Sequence, residues 1–290
     1  MTKSRLSRVS ILITLFLTSL ITFAQNETPP IYVIPIHGEI NPARVVFIRR
    51  GIQEADEAGA RTIIFDIDTF GGRVDSALQI TTLIGSAPAE TIAYVGVAAE
   101  GTGVSWSAGA LISLSCDRIY MAPGTSIGAA APVYQTQEGM TLAEEKTVSA
   151  VRTQMAALAE KNGYPVAVAL AMVDSDVELL EVYLGEERLL VSRTEMPDIE
   201  RLAADREVEI EEGKVVSAPG KLLTLTAGEM DRYAISSGTE SNLQALLQTE
   251  GISGELVELE ESLADRAAAF VAGAAVSGIL IPKLSDSDGF

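Results

Sequence analysis

The stretch that decides the fold is Thr62-Ile-Ile-Phe-Asp-Ile-Asp-Thr-Phe-Gly-Gly72. Its first six residues, Thr62–Ile67, form a nearly continuous apolar run, which is typical of a strand buried on both faces. The glycine pair that follows marks a turn, and helical spacing begins beyond it through Val74, Leu78 and Ile84. A buried strand, a glycine turn and a helix in succession predict one unit of a layered α/β domain with a mainly parallel sheet.

The same alternation extends in both directions along the chain. Strands are predicted over 31–36, 91–97 and 118–121, and helices over 42–58 and 108–115. Alternating strands and helices of this kind are typical of a parallel sheet covered by helices.

The second half of the chain is less periodic. A capping box at Thr141-Leu-Ala-Glu144 predicts a helix that runs to Asn162-Gly163, and Pro165 predicts the start of another that ends near Val173. The charged segment from Leu184 to Val216 is interpreted as surface excursions, one of which could be a hairpin. Further short elements are predicted as a strand over 222–226 and helices over 227–235 and 242–248.

The composition excludes several classes of protein. The 290-residue chain is 47% hydrophobic, which argues against disorder, and its net charge of −19 disfavours binding to nucleic acid. The chain has one histidine, His37, and one cysteine, Cys116, so an intrachain disulfide and a His- or Cys-rich zinc site are ruled out. A hydrolase that does not use His37 must take its base from a lysine, aspartate or glutamate. We expect a structural role for His37, at the end of the first strand.

The two ends of the chain have their own patterns. Residues 1–24 combine a basic start, an apolar run and a small-residue cleavage site, which predicts a signal peptide, with an uncleaved anchor as the alternative. Residues 25–255 are predicted to be the folded domain. The tail, 256–290, contains the apolar run Ala267 to Ile281, which at 15 residues is short for a membrane span. An interfacial helix, a packed terminal helix and a truncated membrane span all fit this run.

The stretch Gly103-Val-Ser-Trp-Ser107-Ala-Gly109 offers a candidate nucleophile. It directly precedes an apolar helix, so the Ser107 hydroxyl would lie at a helix amino terminus. Nearby backbone N–H groups there favour a developing oxyanion. The alternative is a serine that caps a core helix, because such turns are common.

The turn Asp68-Thr-Phe-Gly71-Gly72 is the second candidate site. A Gly-Gly pair after a buried strand lets a backbone N–H face a substrate carbonyl. An ordinary strand-to-helix turn is the alternative. A phosphate-binding loop is a weaker one, since no Walker-type lysine or Gly-x-Gly-x-x-Gly pattern follows.

Taken together, these motifs resemble one known family. The residues that carry the resemblance are Asp68–Gly72, Ser107–Gly109, Met121–Ala130, Lys146 with its helix, and Leu222–Ala227. They are similar to the NfeD family of membrane-bound serine proteases, which have the ClpP/crotonase fold and are related to signal peptide peptidase A. The similarity extends from Ile31 to Gly251. It implies a layered α/β fold of repeated β-β-α units.

The resemblance also implies a catalytic arrangement. Ser107 and Lys146 correspond to the family's nucleophile and base, and the backbone N–H groups of Gly72 and Ala108 to its oxyanion hole. A lysine acts as base only as the free amine, so its pKa must fall through burial. Lys161, at the far end of the same predicted helix, is the rival base. The resemblance implies no metal and no organic cofactor.

Three further residues are predicted to contact substrate or to shape the pocket. The cleaved peptide would lie extended between the two turns, in contact with Gly71 and paired by backbone hydrogen bonds. Ser126 is predicted to line the pocket, with a simple turn serine as the alternative. Trp106 is interpreted as a packing residue or a pocket wall, and it stands where a small residue is expected.

The sequence thus leads to a specific hypothesis. It is an exported, membrane-associated Ser-Lys endopeptidase on the periplasmic or extracytoplasmic face, which cleaves apolar peptide segments, including those of stomatin-like proteins. Assembly into a homo-oligomer is expected. A non-catalytic scaffold partner of a stomatin-like membrane complex is the first alternative, and an acyl-CoA hydratase-type enzyme the second.

Overall fold

The computed structural model describes residues 28–136, 139–265 and 267. The predicted signal segment 1–24 and nearly all of the apolar run 267–281 lie outside the described residues. No helix in the described part of the chain is both long enough and apolar enough to cross a bilayer.

The described elements alternate along the chain. The strands are β1 (Ile31–His37), β2 (Thr62–Asp68), β3 (Glu90–Val95), β4 (Val104–Trp106), β5 (Arg118–Met121), β6 (Ser126–Gly128), β7 (Val133–Thr136), β8 (Gly139–Leu142), β9 (Leu179–Leu184), β10 (Glu187–Ser192), β11 (Ile210–Ser217), β12 (Thr224–Thr226), β13 (Gly238–Thr239) and β14 (Leu256–Glu258). The helices are α1 (Pro42–Glu57), α2 (Val74–Gly85), α3 (Ala108–Leu114), α4 (Glu145–Asn162), α5 (Val166–Val173), α6 (Met196–Arg206), α7 (Ala227–Arg232) and α8 (Leu243–Glu250), with a 3-10 turn at Arg193–Glu195.

The centre of the fold is a six-stranded parallel sheet in the order β13-β5-β3-β2-β1-β14. Its inner strands are apolar on both faces because helices cover both. One face packs on α1 to α5 through residues such as Phe65, Phe47 and Met155, and the other packs on Leu246 of α8. The predicted layered α/β fold with a mainly parallel sheet is confirmed.

A smaller sheet, in the order β12-β6-β4, adjoins the end of the large one. A single parallel bridge between Thr69 and Ser105 joins the end of β2 to β4. This bridge positions the start of α3, and with it Ser107, beside the glycine turn that follows β2.

The charged segment from 184 to 216 is more ordered than the sequence suggested. β9, β10 and β11 form an antiparallel sheet in the order β10-β9-β11, and Met196 of α6 packs on its apolar face with Leu180 and Val182. The suggested hairpin is confirmed in β9 and β10, although β9 begins at Leu179, before the segment in which a hairpin was expected. The return strand β11 pairs with β9 across a long connection, which local periodicity does not reveal.

The predicted capping box at Thr141 is wrong. Thr141 lies in β8, opposite Tyr134 of β7, so its backbone belongs to a hairpin rather than to a helix start. α4 begins at Glu145 with Glu144 as its N-cap, and the Glu144 side chain makes no capping hydrogen bond.

The sheet also continues past residue 255, where the sequence suggested that the domain ends. β14 pairs with β1, Leu259 is buried against Gly51 of α1, and Asp265 accepts a hydrogen bond from Arg50 at 2.7 Å.

Candidate active site

Ser107 occupies the joint between β4 and α3. Its backbone has φ 55° and ψ −118°, a conformation that L-residues rarely adopt and that is found mainly at functional sites. The Ser107 N–H donates to the Gly128 carbonyl at 3.0 Å, and the Ser107 carbonyl accepts from Ala110 N–H at 3.1 Å, so the joint is held from both sides. A sharp strand-to-helix joint of this kind presents a serine hydroxyl clear of the backbone. The side chain is half-buried, and its hydroxyl has no hydrogen-bond partner among the described residues.

The glycine turn lies directly against this joint. A Cβ added to Gly71 would lie 2.6 Å from the Ser107 Cβ, and one added to Gly72 would lie 2.2 Å from the Ile40 carbonyl oxygen. Both separations are far below van der Waals contact, so only glycine allows the turn to approach the neighbouring segments of the chain this closely.

The pairing with Ile40 decides which way the turn faces. Ile40 N–H donates to the Gly71 carbonyl at 2.9 Å, and the Ile40 carbonyl accepts from Arg73 N–H at 2.8 Å. In this parallel bridge Gly72 lies between the two bonds, so its own N–H points away from Ile40.

Next to Ser107, two backbone N–H groups have no hydrogen-bond partner among the residues that the structure describes. Gly72 N–H is left out of the bridge, and Ala108 N–H belongs to the first turn of α3, where a helix leaves its amides unpaired. Within the described residues neither amide has a hydrogen-bond partner. Gly72, Ser107 and Ala108 line the same pocket, which is the arrangement that an oxyanion hole requires.

The remaining walls of this pocket are apolar. They are formed by Val74, Ala77, Leu111, Ala130, Pro132 and Val151. The cavity volume is about 20 Å³, which is space for roughly one water molecule. The enclosed part of the pocket is therefore narrow.

The buried carboxylate of Asp68 organises the loop that leads to Ser107. It accepts hydrogen bonds from the N–H groups of Ala98 at 2.9 Å, Gly103 at 3.1 Å and Val104 at 3.3 Å. A Cβ on Gly101 would lie 1.8 Å from an Asp68 oxygen, so the loop wraps tightly around the carboxylate. Sequence reasoning noticed Asp68 only as part of a motif, because its partners lie 30 to 36 residues away along the chain.

Thr69 ties the same turn to β1 and β4. Its hydroxyl donates to the Gly38 carbonyl at 2.5 Å and accepts from Gly71 N–H at 2.9 Å. Its backbone N–H donates to the Val104 carbonyl at 2.7 Å, and its carbonyl accepts from Trp106 N–H at 3.0 Å. The two candidate turns are thus held together by backbone hydrogen bonds rather than by side-chain packing alone.

The candidate base does not share this environment. Lys146 is the second residue of α4 and its side chain is exposed, whereas the same helix contributes Val151 to the pocket. Lys146 does not line the pocket, and no hydrogen bond or ion pair links it to another described residue. The rival, Lys161, donates from Nζ to the Gly85 carbonyl at 3.1 Å, at the other end of the helix.

Three other residues singled out in the sequence take up different positions. Ser126 does not line the pocket; its hydroxyl accepts a hydrogen bond from the Trp106 indole at 2.9 Å. His37 lies at the end of β1 with Nε2 2.9 Å from a carboxylate oxygen of Asp66. Cys116 is fully buried, and burial raises the pKa of its thiol, which keeps it protonated and unreactive.

The described residues contain no group of three or more His, Cys, Asp or Glu side chains placed to hold a metal ion. Of the predicted site residues, the structure brings together Ser107, Gly71, Gly72 and Ala108, and it leaves Lys146 and Ser126 outside the pocket.

Comparison with known proteins places this site in context. The chain is 32% identical over 276 residues to the membrane protein NfeD1b of Bacillus subtilis (strain 168), covering 93% of this chain and 53% of that protein. It is 32% identical over 173 residues to the membrane-bound protease PH1510 of Pyrococcus horikoshii, covering 59% of this chain and 38% of that protein. The chain thus spans about half or less of the length of these relatives.

A solved structure shares the fold. A mutant of the 1510-N membrane-bound stomatin-specific protease, in complex with a substrate peptide, superposes with a TM-score of 0.62 at 22% identity, covering 85% of this chain and 99% of that one. The family model described as "NfeD1b, N-terminal domain" matches residues 30–199, which is more than half of the chain. The chain therefore belongs to the NfeD1b N-terminal domain family.

Proposed function

We propose that this chain is a serine endopeptidase with Ser107 as its nucleophile. The observation that carries the proposal is the Ser107 hydroxyl, held at a strained strand-to-helix joint beside the N–H groups of Gly72 and Ala108, which have no partner in the described part of the chain. Serine nucleophiles with two amide donors of this kind are suited to acyl transfer, because the donors stabilise the tetrahedral oxyanion.

In the proposed reaction Ser107 Oγ attacks the carbonyl carbon of the cleaved peptide bond. The amine of Lys146 takes the hydroxyl proton and passes it to the departing amine, which leaves an acyl ester on Ser107. A water molecule then attacks the ester, gives its proton to the amine of Lys146, and releases the acid while Ser107 recovers its proton. The negative oxygen formed in both steps lies against the amides of Gly72 and Ala108.

The role of Lys146 requires a change in its surroundings. A lysine serves as base only when desolvation lowers its pKa, and the side chain is exposed in this structure. In the proposal a substrate segment lying between the Gly72 turn and the Ser107 turn covers the start of α4 and removes water from the amine.

The proposed substrates are apolar peptide segments. The walls of the pocket beside Ser107 are apolar, and two relatives bear the names of a membrane protein and a membrane-bound protease. A stomatin-like membrane protein is the proposed partner, since the structural neighbour is called stomatin-specific. Export, membrane association on the periplasmic or extracytoplasmic face and assembly into a homo-oligomer are part of the same proposal.

The catalytic assignment is tested with single substitutions. Ser107→Ala and Lys146→Ala should each lower cleavage of an apolar peptide by about 1,000-fold or more, because each removes a group that takes part in bond making. Lys161→Ala is the matched control, a lysine of the same helix that should leave the rate unchanged. An unchanged rate in Ser107→Ala refutes the proposal, and an unchanged rate in Lys146→Ala refutes the role of that lysine.

The exposure of Lys146 favours a second candidate function. In this alternative the chain is a non-catalytic scaffold. It keeps the fold and the two peptide-binding turns, lacks a working base, and binds a stomatin-like membrane protein. A small serine-reactive fluorophosphonate distinguishes the two. Labelling of the wild-type chain that is lost in Ser107→Ala supports the peptidase, and a folded wild-type chain that resists labelling supports the scaffold.

A further inference from the structure

Two aromatic side chains beside Ser107 are not used by the proposed chemistry. Phe70 is 64% exposed, while the other two phenylalanines in the described ranges, Phe47 and Phe65, are 2% and 0% exposed. Trp106, the single tryptophan of the chain, is half-buried. A large aromatic ring that remains in water offers apolar area to a binding partner.

The two rings pack against each other. The ring centroids of Phe70 and Trp106 lie 5.6 Å apart at an interplanar angle of 76°, an edge-to-face arrangement that stabilises aromatic pairs. The indole N–H of Trp106 donates to Ser126 Oγ at 2.9 Å, which fixes the far end of the ring. The hydrogen bond and the ring contact both restrain Trp106, which lowers the entropic cost of ordering that side chain when a partner binds.

The pair is adjacent to the reacting atom along both chain segments. Phe70 directly precedes Gly71, whose Cα faces the Ser107 side chain, and Trp106 directly precedes Ser107. Neither ring lines the narrow apolar pocket, which has a volume of only about 20 Å³. The exposed aromatic pair thus offers apolar surface beside Ser107, outside that pocket, to a bulky substrate side chain next to the cleaved bond.

From these observations we infer that Phe70 and Trp106 form a subsite that binds a bulky apolar side chain of the substrate beside the cleaved bond. The inference rests on the proposed function, because it takes the bound partner to be an extended peptide that reaches Ser107. It narrows the substrate class: at one position next to the cleaved bond, large apolar residues are selected over small or polar ones.

The single tryptophan allows a test that does not need catalysis. In the Ser107→Ala variant, the fluorescence of Trp106 is measured as an alanine-based peptide with one central phenylalanine is added, and again with serine in place of that phenylalanine. The phenylalanine peptide should bind about tenfold or more tightly and change the Trp106 emission, as expected for burial of one large apolar side chain.

Substitutions then locate the effect. Adding Phe70→Ala should remove the preference for the phenylalanine peptide, and adding Phe70→Leu should keep most of it. Val46→Ala, which shortens an apolar side chain that is 50% exposed on α1, is the matched control and should change neither affinity. Equal affinity for the two peptides, no binding of either at millimolar concentration, or a preference that survives Phe70→Ala overturns the inference.

Failure of the subsite and failure of the proposed function give different results. If wild-type Ser107 resists fluorophosphonate labelling but the peptide preference depends on Phe70, the peptidase proposal fails and the subsite stands. If Ser107 is labelled and the preference is absent, the subsite fails. If Phe70→Ala instead converts a dimer to a monomer in sedimentation without altering peptide affinity, the pair is a contact between copies of the chain and the inference is wrong.

Discussion

The two halves of the candidate site are built differently. The half that contains Ser107 and Gly72 is fixed by backbone hydrogen bonds from Thr69, by the Ile40 bridge and by the buried Asp68 carboxylate. The half that contains Lys146 is the exposed first turn of α4, whose N-cap makes no capping hydrogen bond. The half that is proposed to hold the oxyanion is thus preorganised, whereas the half that is proposed to supply the base is exposed to water.

This difference separates two requirements of the reaction. Oxyanion stabilisation needs fixed donors, because donors that must reorganise during the reaction contribute less. A lysine base needs desolvation, which an arriving substrate or partner can supply. Under the proposed mechanism, the nucleophile and the amide pair are in place before substrate binds, and the Ser-Lys dyad is completed only upon binding.

The largest loss of cleavage rate is expected from a substitution that distorts the half with Ser107 and Gly72. Gly72→Ala places a methyl group 2.2 Å from the Ile40 carbonyl oxygen, so the turn must shift and the amide donor moves with it. We expect cleavage to fall by about 100- to 1,000-fold, as for loss of one oxyanion donor. Gly228→Ala is the matched control, because nothing lies within 4 Å of its added methyl group. Near-normal cleavage by Gly72→Ala would exclude this amide from the oxyanion hole.

A smaller loss of cleavage rate is expected from Asp68→Asn, because the Asp68 carboxylate contacts the loop before Ser107 rather than Ser107 itself. In Asp68→Asn only one side-chain oxygen remains to accept the N–H groups of Ala98, Gly103 and Val104, and the amide adds donors that face other donors. We expect the free energy of unfolding to fall by about 2 kcal/mol. The expected loss in cleavage rate is roughly tenfold, because the loop before Ser107 loosens.

Denaturant unfolding and peptide assays on the Asp68→Asn protein measure the two losses separately. Asp75→Asn, an exposed carboxylate at the start of α2, serves as the control. A loss of stability with unchanged kinetics would show that Asp68 supports the fold without positioning Ser107.

The rigid half was also the half that the sequence could predict. Thr62–Ile67 and the runs around it are continuous and apolar, so the buried strands follow directly from composition, and the strand-turn-helix order placed Ser107 and Gly72. β4 and β6 were missed, because a three-residue strand has no measurable period. The function of Asp68 was missed because its partners come from a distant loop.

The start of α4 shows where local patterns fail. Thr141 and Glu144 have the spacing of a capping box, yet hairpin pairing with β7 places Thr141 in a strand. The exposure of Lys146 could not be predicted either, because a lysine near a helix start has the same local sequence whether it is buried or exposed. Both features depend on which surface the helix end meets, and that is a tertiary property.

A third prediction concerns the ion pair that holds α4 to the segment after α5. Burial acts to raise the pKa of Asp174, but hydrogen bonds from the Asp176 N–H and the Arg152 guanidinium outweigh it, so the pKa lies below its ordinary value. A lowered pKa in the folded state means that this stabilisation is present above the pKa of the unfolded chain, near 4, and is lost as the pH falls through the folded value.

Asp174→Asn should therefore cost about 1 kcal/mol at neutral pH and nothing at a pH below the folded pKa, where both proteins are uncharged at this position. Urea unfolding of both proteins at a series of pH values from neutral down to about 2 measures how the difference closes. A stability gap that stays constant with pH would mean that the pair contributes through packing rather than charge.

The smallest effect is expected from a substitution that stabilises the start of α4, where Lys146 lies, rather than one that disrupts the half with Ser107 and Gly72. Glu144 is the N-cap of α4 and makes no capping hydrogen bond, whereas a shorter aspartate accepts from the amides of the first turn and keeps the same charge. Glu144→Asp should raise the free energy of unfolding by about 0.5–1 kcal/mol, or about 2–3 °C in melting temperature. Glu160→Asp, near the other end of the same helix, is the control for the change in side-chain length. If disorder at the start of α4 limits the action of Lys146 as base, the Glu144→Asp variant should also cleave faster. A protein that is more stable but cleaves at an unchanged rate would show that the base is limited by the hydration of Lys146 and not by the order of the helix start.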